Sequence, residues 1–164
     1  MKQLAIFFCS LSLLFVTGIA RAQSVAPLGK ALERFYATMR DDEVIPVWVY
    51  FRDKGEGAQH KLMLPAETYL SPKAIARRER VLQTDRSGVL TIEDIPLERS
   101  YVASVAAMVT KVRHEVKWFN AMSVMATKSQ IAALRRLPFV REIEMVVRFK
   151  PERLWQATSA MDEP

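Results

Sequence analysis

Apolar positions along this chain switch between two spacings, and the switches mark out the elements. Val44–Phe51 is an unbroken β-branched and aromatic run, the pattern of a strand inside a sheet. Pro46 argues that its beginning is incompletely paired, and Asp53–Gly57 reads as the turn that ends it. Ser71-Pro72 offers a capping oxygen and a first-turn proline to a helix over Lys73–Gln83, with arginines on its polar side. Thr84–Ile95 shows no period and reads as a connection turning at Gly88. Tyr101, Val102, Val105, Ala106 and Val109 form one stripe of a helix over Ser100–Val109. Lys111–Lys117 alternates, with Val112, His114 and Val116 on the apolar side. A second strand is expected over Phe119–Ala126, with Asn120 near the turn because asparagine tolerates left-handed backbone. Thr127 with Gln130 is a capping box ahead of Ile131, Leu134 and Leu137, and Pro138 stops that helix. Phe139–Phe149 closes the series as a strand with Glu142 and Glu144 opposite its apolar side.

The order is βαββαβ: an α+β, ferredoxin-like antiparallel sheet with two helices on one face and an extra inserted helix. Right-handed crossovers put the first and third strands in the centre. The uncovered sheet face is then the natural place for a partner. A shorter helix is expected ahead of the first strand, within 23–43, from the spacing of Leu28, Leu32, Phe35 and Met39. The domain proper is expected at 44–149, and 150–164 reads as a polar, mobile tail.

The first 22 residues change the setting. Lys2, the apolar run Leu4–Ile19 and Ala20-Arg21-Ala22 have the form of a cleaved export signal, with Ala20 and Ala22 at the cleavage site. The expected location is therefore secreted or periplasmic, without stable membrane association after cleavage. Cys9, the only cysteine, falls inside this leader, so the exported domain must be held by its core alone. Of 24 lysines and arginines, Lys2 and Arg21 go with the leader, leaving 22 against 18 acidic residues. That mild basic excess fits an ordinary solvated surface.

Chemistry is scarce. His60 and His114 are the only histidines, and His114 on the apolar side of its strand is expected to be a buried, satisfied ring. No G-x-S-x-G elbow, metal-spaced histidine pair or glycine-rich phosphate loop occurs. No enzyme activity, cofactor or metal is expected.

Certain strings recur in a known order. V-W-V-Y-F at Val47–Phe51 is followed by D-K-G at Asp53–Gly55 and by L-S-P-K-A-I-x-R-R at Leu70–Arg78. Then come Pro96–Val102, Lys111–His114, W-F-N-A-x-S-V at Trp118–Val124, Thr127–Val140 and Glu144–Val146. In this order the chain resembles the N-terminal prodomain of secreted bacterial subtilisin-like serine proteases, over about Val44 to Arg148. The resemblance implies a protein that templates folding of such a protease and then occupies its active site. It implies a contact face bearing Trp48, Tyr50, Glu142 and Glu144, and a cleft-binding segment starting over Lys150–Trp155. The enzyme's own motifs are not in the chain, which leaves open a truncated precursor or a free-standing inhibitor acting in trans. The competing reading is a ferredoxin-like module binding nucleic acid or another macromolecule, with Trp48 and Tyr50 as stacking platforms. Its strand NAMSVMA lacks the aromatic pair of that class and the leader argues for export, so nucleic acid is not the expected partner.

Overall fold

The computed structural model describes residues 25–82 and 88–147. Ala20, Ala22, Phe149, Lys150 and Trp155 lie outside these residues. Four strands form one antiparallel sheet: β1 (Ile45–Phe51), β2 (Lys111–Val116), β3 (Ala121–Ala126) and β4 (Val140–Met145), in the order β2-β3-β1-β4. The fold class is thus α+β, with β1 and β3 central as the crossover rule requires. Pro46 is accommodated because register with β4 begins only at Val47, while its carbonyl still accepts the Val146 N–H at 3.1 Å.

Alternation along β1 decides the layers. Val47, Val49 and Phe51 are fully buried, and they meet Met122 and Val124 of β3 and Ile143 of β4 on the same side. Helices close over that side. Of these, α4 (Arg99–Ala106) brings Val105, and α5 (Lys128–Leu134) brings Ile131 and Leu134. Helix α1 (Lys30–Thr38) adds Leu32 to the same core and is tied to α5 by the Tyr36 hydroxyl, which donates to the Lys128 carbonyl. The capping box of α5 forms as read: Thr127 Oγ1 accepts from the Gln130 N–H, and Gln130 Oε1 accepts from the Thr127 N–H at 3.0 Å.

Between β1 and α4 lies an insertion with its own small core. It contains α2 (Ala58–Leu62) and α3 (Pro72–Leu82), with Ala66, Ile75 and Val89 packed together. Helix α2 left no trace in the hydrophobic pattern because five residues are too few to show a period. Ser71 Oγ accepts from the Ala74 N–H and starts α3. Arg78 does not belong to a solvated arginine face. Its guanidinium forms a two-pronged pair with Asp94, a carboxylate buried under the connection that showed no period.

Three further expectations fail. His114 is exposed, not buried, because a bulge between Val112 and His114 reverses the alternation of β2. Phe119 is not the start of β3. Lys117–Phe119 is a single 3₁₀ turn, closed by Asn120 in left-handed backbone (φ 50°) as its side chain allows. The last strand is confined to Val140–Met145: Phe139 sits in the preceding turn, stacked on Tyr101 at 4.2 Å, and Val147 lies exposed beyond it.

A candidate protein-docking face

The side of the sheet away from the core is set by the other half of each alternation. Trp48 lies between Glu144 of β4 and Ser123 of β3, and Tyr50 between Glu142 and Ala121. The structure therefore brings together the four residues Trp48, Tyr50, Glu142 and Glu144. All four are half-buried, held by their strand neighbours rather than by any covering helix among the described residues. The rings of Trp48 and Tyr50 are 6.5 Å apart. Ala121 and Ser123, which pair with them from β3, are fully buried.

Electrostatics grade this face from one edge to the other. Burial, followed by a hydrogen bond to Glu144 and the charges of Glu144 and Glu142, pushes the Tyr50 hydroxyl above its ordinary pKa. It therefore stays a neutral donor at neutral pH. Arg141 approaches the Tyr50 ring at 5.4 Å. At the opposite edge, β2 carries Lys111, Arg113 and His114, and Arg113 donates to Ser123 Oγ at 3.3 Å. The acidic edge is also sterically fitted. A Cβ at Gly29 would fall 2.8 Å from Glu144 Cγ, so glycine there makes room for that side chain. The outer edge of β4 is partly covered, since Ile143 exchanges hydrogen bonds with Pro27 and Gly29 of the N-terminal segment. Edge strand β2 has no strand partner on its outer side among the described residues; its bulge and charges guard it against mispairing.

Two features escaped the sequence reading. The aromatic pair Trp118-Phe119 is turned outward from the β2–β3 connection, and Phe119 meets Trp48 edge-on at 6.3 Å. Beneath that turn Lys54 is buried, its ammonium donating to the carbonyls of Ile95 (2.7 Å) and Lys117. Burial pulls its pKa below the ordinary lysine value. The D-K-G string is thus a junction: Asp53 accepts from the Tyr101 hydroxyl at 3.0 Å, and Gly55 adopts φ 80° where a Cβ would strike Glu98. Among the described residues there is no group of three or more acidic, histidine or cysteine side chains able to hold a metal ion.

Comparison with protein families decides what this sheet belongs to. Residues 46–160 match the family model of the peptidase S8 propeptide domain of Bacteroidota. The chain belongs to that propeptide family. Neither a curated protein nor a solved structure matches it. The matched span takes in all of the sheet but Ile45, so the face just described is the open face of a propeptide domain. The resemblance drawn from the ordered strings is confirmed at that level.

Proposed function

We propose that this propeptide domain binds the enzyme domain of a subtilisin-type serine protease through its open sheet face, as inhibitor, folding chaperone or both. The observation that carries the reading is the placement of two aromatics and two carboxylates side by side on the one sheet face left open by the helices, in a chain of this family. Glu142 and Glu144 are suited to the N-termini of helices, whose free N–H groups favour negative charge. Trp48 and Tyr50 supply the apolar area between such helices and the sheet. The segment from Lys150 through Trp155 is assigned to the substrate cleft, where an extended chain adds main-chain hydrogen bonds to an enzyme strand. The leader, cleaved after Ala22, would deliver the protein to the secreted or periplasmic space where such proteases act.

Nucleic acid is the poorer partner. Carboxylates flank both aromatics on the face and would repel phosphate, and the β3 side offers Ala121, Ser123 and Met125 in place of stacking rings. The test is a dose series of Gln23–Pro164 against subtilisin-type proteases. Peptidase activity should fall with dose, and denatured protease should refold faster in its presence. Absence of both effects would refute the proposal. A chain ending before Lys150 should inhibit more weakly; equal inhibition would remove the cleft-binding role of the tail.

A further inference from the structure

Trp118 and Phe119 are 63 % and 61 % exposed, and no other phenylalanine, tyrosine or tryptophan among the described residues is exposed. Neither belongs to the main core or to the small core of the insertion. Rings left in water forgo the stabilisation of burial, and a rigid exposed aromatic corner marks a contact surface. We infer that this corner is a second anchor of the docking face, seated in an apolar depression of the protease beside the surface that Glu142 and Glu144 meet. The inference rests on the protease-binding reading above.

Three observations carry it. The corner is continuous with the face, because Phe119 touches Trp48 edge-on at 6.3 Å and Trp48 leads on to Tyr50 at 6.5 Å. It is also held fixed. The Lys54 ammonium grips the Lys117 carbonyl from below, and Asn120 Nδ2 donates to the carbonyls of Asp53 (2.7 Å) and Phe51 (3.3 Å). The Phe51 N–H in turn donates to the Asn120 carbonyl at 2.8 Å. A pinned turn presents its rings with little freedom left to lose, the condition under which aromatic anchors contribute most to affinity. Finally, the turn stands beside a hollow of about 490 Å³ lined by Lys54, Ile92, Asn120 and Arg141, among others.

Charge argues for a foreign partner over a second copy. Lys117 lies 5.4 Å from the Trp118 ring, and Arg52 and Arg141 line the hollow with only Glu93 and the already engaged Asp53 against them. Two copies meeting at this corner would bring like charges together. The matching depression on the protease is apolar at its floor and acidic or carbonyl-rich at its rim.

The test uses the full exported chain and a subtilisin-type protease that the unaltered chain inhibits, with its active-site serine blocked so that binding is read without digestion. Trp118→Ala should raise the Kd on the order of 30-fold, mostly through faster dissociation, with an unchanged melting temperature. Phe119→Ala should act in the same direction, and Trp118→Phe should restore most of the affinity. A Trp118→Ala chain that binds within twofold of the unaltered one overturns the inference while leaving the protease-binding reading intact. So does one whose only change is in self-association by sedimentation. If the unaltered chain binds no subtilisin-type protease, the underlying reading fails and this inference falls with it.

Discussion

Replacing Asp94 with asparagine keeps the shape of the side chain and removes its charge from a buried ion pair that ties the insertion together. The Asp94 side chain is 1 % exposed, against 26 % for its partner Arg78. Its carboxylate accepts from both terminal nitrogens of Arg78 (2.9 Å for Nη2) and from the backbone N–H (3.0 Å) and hydroxyl (3.1 Å) of Thr91. Breaking a buried pair by removing one partner costs about 3–5 kcal/mol. Arg78 is partly reached by water and keeps its bond to the Val89 carbonyl, so the lower end, about 3 kcal/mol, is expected. The loss should fall on the insertion, because Ala66, Ile75 and Val89 form a core separate from that of the sheet. Native-state hydrogen exchange should therefore show α3 amides opening roughly 100-fold more often in Asp94→Asn, with the sheet amides much less affected. Acid should erase the difference. Burial alone would raise the Asp94 pKa, but the Arg78 and Thr91 donors outweigh it and hold the group below its ordinary value. A carboxylate with a depressed folded pKa stabilises fully above its unfolded pKa of about 4, and loses that contribution as pH falls through the folded value. The gap between the two proteins should be full at neutral pH and should close on acidification. Protection of α3 that changes less than threefold at neutral pH would refute the reasoning.

Two other substitutions probe the junctions that position the face. Gly55→Ala would place a Cβ 2.7 Å from Glu98 Oε2 in backbone at φ 80°, and should cost about 1–2 kcal/mol by denaturant titration. A loss under 0.5 kcal/mol would show that the D-K-G turn relaxes freely. Thr127→Ala removes the oxygen that caps α5 and should cost about 1 kcal/mol, seen as a melting temperature lower by roughly 4 °C. An unchanged melting temperature would mean that packing of Ile131 and Leu134 holds the helix without its cap.

Local signals in the sequence carried the order of elements. Thr127 with Gln130 and Ser71 with Pro72 each act within about four residues of themselves, so their effect is readable without knowing what they pack against. The unbroken apolar run of Val44–Phe51 likewise fixed a strand, while the resemblance named Trp48, Tyr50, Glu142 and Glu144 and the pairing of β1 with β4 set them on one side. The tertiary structure decided everything that depends on a partner strand or a distant loop. A bulge in β2, invisible until β3 is laid beside it, turned His114 outward. Arg78 found Asp94 sixteen residues away, and Lys54 found the Lys117 carbonyl sixty-three residues away. Phe119 looked like the beginning of a strand, yet the turn that ends at Asn120 set it against Trp48. Periodicity records which way a side chain points relative to its own neighbours. Which surface that side faces is fixed only when strands pair and select their register.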